Sequence, residues 1–243
     1  MSAPKDVIAE LTPTGVLRAA INMSNFLLVT GKTASGDPDG VSPDMARAIA
    51  ERLGVGIKLI PYKSPGELGD DAENNVWDIG NIGAEPQRAR TIAFTAAYAE
   101  IQATYLVPAG SPIQAIGDVD KPGIRIAVTG RSAYGLWLEN NIKHATLVRA
   151  DTLDGSLEVF LKEKCDVLAG LRPRLLQDIE KVPGGRILDG QFSAVQQAVG
   201  TPKKNVKAAP WLAAFVEEAK RSGLVQRLID KHKVKGLSVA PLA

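Results

Sequence analysis

The stretch WDIGNIGAEPQRARTIAFTAAY, residues 77–98, predicts two strands joined by a short charged turn. Its first part, WDIGNIG, is largely apolar and ends at a glycine, as a strand that enters a loop does. The turn carries Glu85, Arg88 and Arg90, and the segment TIAFTAAY that follows is rich in β-branched and aromatic residues. The role of the turn depends on what these three charged side chains face.

The residues before this stretch predict a parallel α/β unit. The segments GVLRAAIN (15–22) and VGIKLIPY (55–62) both have strand character. Between them, SPDMARAIAERLG predicts a helix with Ser42 as its cap, Pro43 at its first position and Gly54 at its end. A poorly patterned connection then leads to WDIGNIG, and the resulting βαβαβ order is the unit of a parallel sheet.

The same order recurs further along the chain. The segments GIRIAV, ATLVRA and CDVLAG predict strands, and SAYGLWLENN and DTLDGSLEVFLKEK predict the helices between them, the second with Leu157, Phe160 and Leu161 on one side. A helical tail follows. We therefore expect an α/β fold of two lobes, the first formed by residues 1–103 and 199–243 and the second by residues 104–198.

The long β-prone segments AAYAEIQATYLVPAG and FSAVQQAVGTP would join the two lobes as a two-strand hinge. A hinged pair of lobes encloses a cleft. Parallel sheets bind ligands at the carboxyl ends of their strands, so the loops there are the expected site.

Composition excludes several classes of protein. The 243 residues are 45% hydrophobic, and no apolar run approaches the ~20 residues of a membrane-spanning helix. The 29 basic and 27 acidic residues are well mixed, so bulk charge indicates no nucleic-acid partner. A single cysteine, Cys165, excludes an internal disulfide and a cysteine zinc cluster, and we expect it to be buried.

These segments together resemble the family 3 solute-binding proteins of bacterial ABC importers, which capture amino acids and related compounds. The resemblance runs from about residue 11 to about residue 235, and its best-marked block is the helix, the Trp-Asp strand, the Pro-x-Arg turn and IAFTAAY. It implies the type II periplasmic binding protein fold, with two Rossmann-like lobes and a ligand cleft between them. It also implies a monomer that binds a small molecule and docks on an inner-membrane permease, without a cofactor.

The resemblance implies a periplasmic location as well. The opening MSAPKDVIAELTPTG lacks the order of a secretion signal. Either the protein is cytosolic or this is a mature segment given a new Met1, and the resemblance favours the second interpretation.

In that family the arginine of the Pro-x-Arg turn forms paired hydrogen bonds with the ligand's α-carboxylate, and here that position is Arg88. A planar guanidinium presents two parallel donors to a carboxylate, so the chemistry agrees. The alternative is a surface arginine that is solvated or paired with Glu85. Arg90 is expected to face solvent.

Three departures from the family pattern bear on the ligand. Glu85 and Gly83 occupy places that usually hold hydroxyl residues in the family. Leu171 falls where an aspartate usually binds the ligand's ammonium group. Asn25 replaces the aromatic residue that often covers the ligand, and Phe26 lies beside it in the sequence. An ammonium group buried against leucine would lose its hydration without a partner. The ligand would therefore be a carboxylate without an α-amino group, or one whose positive group meets Glu85. Alternatively, Glu85 neutralises Arg88 in the empty protein.

Further polar residues at the predicted strand ends complete the expected site. Asn22 and Ser24 of the first lobe would supply neutral hydrogen-bonding groups. The second lobe would supply hydrogen-bond donors from Arg131, Ser132, Tyr134 and Arg172.

Two other functions fit the same resemblance. Some proteins of this fold are cyclohexadienyl dehydratases, which need a carboxyl acid in the loop after the strand matching CDVLAG. Here that loop reads LRPRLL, and the equivalent place falls near Arg174, so we predict no enzyme. The third possibility is a sensor module that passes ligand-driven closure to a membrane partner. His144 and His232 stand alone, each expected at the surface, so no metal site is predicted either.

Overall fold

The computed structural model describes residues 3–243. Its helices and strands follow in chain order, and their bounds are α1 Lys5–Leu11, β1 Val16–Asn22, β2 Gly31–Lys32, β3 Pro38–Asp39, α2 Val41–Leu53, β4 Gly56–Tyr62, α3 Pro65–Asp70, β5 Ile79–Gly83, β6 Ile92–Val107, β7 Arg125–Thr129, α4 Ala133–Asn141, β8 Thr146–Ala150, α5 Leu153–Lys162, β9 Val167–Leu171, α6 Arg172–Asp178, β10 Arg186–Ile187, β11 Ser193–Pro202, α7 Ala208–Arg221, α8 Leu224–Lys231 and β12 Ser238–Val239.

The chain divides into two compact units. The first unit runs to Glu100 and resumes at Gln196, and the second is Ile101–Val195. The chain passes from one unit to the other within β6 and returns within β11. The boundaries expected after residues 103 and 198 lie within the same two strands.

In the sheet of the first unit, β1 lies between β4 at the edge and β5. Strand β1 pairs in parallel with β4 and β5, and β11 adds to β5 in the antiparallel direction. The register between β1 and β5 sets Ala19 opposite Ile79 and Ile21 opposite Asn81. Because the two strands run in the same direction, the loops that follow them leave from the same edge of the sheet.

Helix α2 begins earlier than the sequence pattern indicated. It starts at Val41, with Gly40 as its N-cap, so Ser42 lies within the first turn and does not cap the helix. Gly40 has φ 147°, and a Cβ atom there would lie 2.3 Å from the carbonyl oxygen of Leu28. This close approach, which only glycine permits, fixes the start of the helix. The end at Gly54, with φ 70° in the left-handed region, agrees with the prediction.

The Trp-Asp pair before β5 stabilises the first unit. Trp77 is 1% exposed and packs with Leu68 and Ile82, and its indole N–H donates to the carbonyl oxygen of Leu68 at 3.2 Å. The carboxylate of Asp78 accepts bonds from the backbone N–H, Nε and Nη2 of Arg18 on β1, at 2.9, 3.0 and 2.7 Å. Together these contacts fix β5 and its following turn against β1.

The second unit has its own sheet and core. Strand β7 pairs in parallel with β8 and β9, and β9 pairs antiparallel with β6. Leu157 and Phe160 of α5 pack with Cys165, which is 3% exposed as predicted. Leu161, however, is 44% exposed, so its predicted place on the buried side of α5 was wrong. Leu161 follows Phe160 directly, and the rotation of about 100° between successive helical residues turns its side chain away from the sheet.

Candidate functional site

The candidate site of the first unit consists of two loops at the carboxyl edge of its parallel strands. The loop after β1 contains Asn22 to Phe26, and the turn after β5 contains Gly83 to Arg88. Asn81, within β5, was not singled out from the sequence although it is polar in an apolar strand. It is 1% exposed and its side-chain amide donates to the carbonyl oxygen of Ser42 at 2.9 Å, which ties the strand to the start of α2.

Arg88 is buried in this turn. It is the first residue of a 3₁₀ turn, Arg88–Arg90, and it is 7% exposed. Its Nη1 donates to the carbonyl oxygen of Gly83 at 2.7 Å. The solvated-arginine alternative therefore does not describe the structure, whereas Arg90 is exposed as predicted. A buried guanidinium held by its own turn is a fixed positive charge.

Glu85 is half-buried beside this charge. As far as residues 3–243 are described, its carboxylate receives no hydrogen bond and forms no ion pair, so Glu85 and Arg88 are not paired by contact. Burial raises the pKa of Glu85 to about 7, and the nearby charge of Arg88 opposes part of that rise. The turn that holds Arg88 therefore also carries a carboxyl group whose pKa lies near neutral pH.

The loop after β1 uses much of its polar capacity internally. The side-chain oxygen of Asn22 accepts from the backbone N–H and the hydroxyl of Ser24 at 3.2 and 2.8 Å. The side-chain oxygen of Asn25 accepts from the backbone N–H of Leu27 at 3.2 Å. Asn22 and Asn25 are both 8% exposed, and Phe26 is half-buried. These Asx-type bonds give the loop a defined shape.

The candidate residues of the second unit lie at the ends of β7 and β9. Ser132 caps α4, because its hydroxyl oxygen accepts from the backbone N–H of Gly135 at 3.0 Å. Arg131, just before it, has φ 57°, a left-handed conformation that is unusual for arginine. Tyr134 is 3% exposed, and burial raises the pKa of its hydroxyl.

Leu171 ends β9 and is 7% exposed. The next residue, Arg172, is engaged within the second unit. Its Nε donates to the side-chain oxygen of Gln102 at 3.0 Å, and its Nη2 donates to the carbonyl oxygens of Leu188 and Gly190. These bonds hold the loop before β11 against the start of α6.

Arg174 occupies the region where a dehydratase would need its acid. It forms ion pairs with Asp178, at 2.8 Å, and with Asp154, at 2.6 Å. Asp178 is 3% exposed and Arg174 contacts both of its carboxylate oxygens. The nearest carboxylate on this helix therefore already has a cationic partner.

Away from these loops, side-chain atoms of Asp39, Asp44 and His232 that could bind a metal ion all lie within 4.8 Å of one another. The His232 side chain is 6% exposed, so its predicted surface position was wrong. Asp44 already contacts His232, Lys231 and Arg47 at 2.8, 2.7 and 2.9 Å, and these three partners hold the pKa of its carboxyl low against the opposing effect of burial. Two permanent positive charges on the shared carboxylate disfavour a metal ion there.

The comparisons with known proteins show the family and the fold of the chain. Residues 20–235 match the family described as bacterial extracellular solute-binding proteins, family 3. The chain belongs to this family. No individual curated protein matches the chain by sequence.

Solved structures show the same fold as this family 3 protein. A mutant of ArgBP from T. maritima has a TM-score of 0.73 at 19% identity, over 94% of this chain and 100% of that one. A putative binding component of an ABC transporter from Wolinella succinogenes, complexed with lysine, has a TM-score of 0.72 at 23% identity, over 90% and 95%. An ancestral amino-acid-binding protein, a precursor of cyclohexadienyl dehydratase, has a TM-score of 0.72 at 18% identity, over 94% and 99%. The expected type II periplasmic binding protein fold is confirmed.

Within residues 3–243, no helix has both the length and the apolar character needed to cross a membrane.

Proposed function

We propose that this protein is the extracytoplasmic substrate-binding component of an ABC importer, and that it captures a small carboxylate-bearing solute. The observation that carries the proposal is the buried Arg88, anchored on Gly83 at the carboxyl edge of the first unit's parallel strands. Family membership supports solute binding in general, and the structural neighbour complexed with lysine is described as a putative binding component of an ABC transporter. The periplasm is the compartment that this function requires.

Carboxylate recognition follows from the chemistry of Arg88. A guanidinium carries five donors in a fixed plane and cannot lose its charge in a protein. Burial removes water from around it, so a carboxylate that meets it forms strong charge-assisted bonds. An anchored side chain also loses little conformational entropy when the solute binds, and this improves affinity.

The solute we propose is an atypical amino-acid derivative or an organic acid. Leu171 is buried at the end of β9, where the family resemblance places an ammonium-binding aspartate. The acidic side chain that follows on α6, Asp178, is bound by Arg174. An α-ammonium group would thus lack its usual counter-charge in the second unit.

We propose hinge closure as the mechanism of capture. Strands β6 and β11 carry the chain between the two units, so small backbone changes in them would alter the relation of the units. The solute favours the closed state by the difference between its binding free energies in the two states. A monomer in the closed form would then dock on the permease.

Capture rather than catalysis is the simpler assignment. A dehydratase acid must hold a proton and reach its substrate, whereas Asp178 is bound at both oxygens by Arg174. The nearby Asp154 is also paired with Arg174.

The test is to identify the solute and then remove its anchor. Mass spectrometry of small molecules released from the denatured, purified protein names the solute, and titration calorimetry measures its affinity. We expect Arg88→Ala to weaken binding at least about 100-fold, the loss typical of a buried charged partner. Arg90→Ala is the matched control, since Arg90 is exposed on the same 3₁₀ turn and should bind as the wild type does. Equal affinities for both variants would refute the proposal.

A further inference from the structure

Glu85 is a second charged group on the turn that holds Arg88. It is half-buried, its backbone carbonyl accepts from the N–H of Ala89 at 2.9 Å, and its carboxylate has no hydrogen-bond donor among residues 3–243. A carboxylate that is partly removed from water without a donor is destabilised in its charged form. The free protein therefore holds a group whose charge a ligand could stabilise.

We propose that Glu85 binds a cationic group of the solute, so that Glu85 and Arg88 together select a zwitterion whose two charges meet the same turn. This inference rests on the proposed function and names the class of solute.

The charges around Glu85 explain why a cation, and not a neutral donor, is selected. Arg88, three residues further on in the same turn, is the charged neighbour whose field acts on Glu85, and it is not in ion-pair contact with the carboxylate. When a solute carboxylate occupies Arg88, it offsets the positive field that favours the ionised form of Glu85. A cationic group on the same solute restores that balance and supplies the missing donor.

Binding of a cation to Glu85 is linked to a proton. Burial raises the pKa of Glu85 to about 7, so near neutral pH a large share of the free protein carries a protonated Glu85, which must lose its proton to pair with a cation. Affinity should accordingly rise about tenfold between pH 6 and pH 8. At about pH 6.5 binding should release roughly three quarters of a proton.

The experiment compares matched probes on four proteins. The probes are propionate and β-alanine, butyrate and 4-aminobutyrate, and valerate and 5-aminovalerate, together with L-alanine, L-lysine and L-arginine. The proteins are the wild type, Glu85→Gln, Arg88→Ala and Glu51→Gln, the last a control that removes an exposed carboxylate of the first unit. Calorimetry in two buffers of different ionisation enthalpy gives both affinity and proton release.

We expect at least one cationic probe to bind the wild type and Glu51→Gln tenfold or more tightly than its uncharged parent acid, with proton release. In Glu85→Gln this advantage and the proton release should disappear, while in Arg88→Ala both members of the pair should lose affinity. Parent acids that bind the wild type as tightly as their aminated partners would overturn the role of Glu85 and leave the carboxylate proposal standing. Cationic probes that bind equally well to Arg88→Ala would instead contradict the proposed function.

Discussion

The Nη1 atom of Arg88 donates a 2.7 Å hydrogen bond to the carbonyl oxygen of Gly83, five residues earlier in the same turn. The bond closes the turn on itself, so the guanidinium is positioned by the backbone that follows β5. Asp78 and Trp77, just before that strand, hold its other end. The orientation of the arginine therefore depends on the packing of the first unit as well as on the turn.

The ion pair between Asp78 and Arg18 should be important for folding stability. Asp78→Ala would leave a largely buried guanidinium without its counter-charge, since the two side chains are 3% and 16% exposed. We expect a loss of about 3 kcal/mol in the free energy of unfolding, measured by urea denaturation. Lys162→Ala breaks an exposed pair with Glu158 and should leave that free energy nearly unchanged. A comparable loss in both variants would count against this view of the Trp-Asp motif.

Gly40 should not tolerate a side chain. Gly40→Ala would place Cβ 2.3 Å from the carbonyl oxygen of Leu28, in a backbone conformation that strains any L-residue. The loss in unfolding free energy should be about 3 kcal/mol or more. Gly31→Ala is the comparison, because nothing lies within 4 Å of its Cβ position and its φ is not positive. If the two variants unfold at the same urea concentration, Gly40 does not fix the start of α2 in the way we describe.

Glu85 should make the free protein less stable as the pH rises. Its folded-state pKa of about 7 lies above the ordinary value of 4.5, so the folded protein holds the proton more tightly than the unfolded chain between these values. The contribution of protonated Glu85 to the free energy of unfolding is therefore fully present below pH 4.5. This contribution is lost as the pH rises towards and through 7. Glu85→Gln removes this dependence.

The difference in unfolding free energy between Glu85→Gln and the wild type should therefore grow from near zero at pH 4.5 to about 1 kcal/mol at pH 8. This magnitude is reduced for the partial solvation of the side chain. Urea denaturation of both proteins across this range, without solute, measures it. A difference that stays constant with pH would show that Glu85 titrates as an ordinary surface carboxylate.

Much of the fold could be predicted because it depends on local pattern. The alternation and spacing of apolar residues placed β1, β4, β5 and the second group of strands, and Gly54 marked the end of α2. The start of α2 was misplaced because it depends on the backbone of Leu28, which only the folded chain brings to Gly40. Leu161 was misplaced because a short apolar run does not show which of its side chains lie on the face of the helix that packs against the sheet.

The candidate site was less predictable for a related reason. Residue type and strand ends suggested Asn22, Asn25 and Arg172, but not that their polar atoms would bond to neighbouring backbone and side chains. The sequence left open whether Glu85 pairs with Arg88, since a separation of three residues in a turn allows contact without requiring it. Whether such side chains touch is decided by backbone angles and burial that no local pattern specifies.

The most direct test of the central claim is a thermodynamic cycle between Arg88 and the carboxylate of the solute. Calorimetry would measure the affinity of the captured solute and of its neutral carboxamide for the wild type and for Arg88→Ala. We predict that the amide loses about 100-fold in affinity for the wild type but little for the variant, a coupling of about 2–3 kcal/mol. An equal loss for both proteins would contradict the account, because the carboxylate would then be recognised somewhere other than at Arg88.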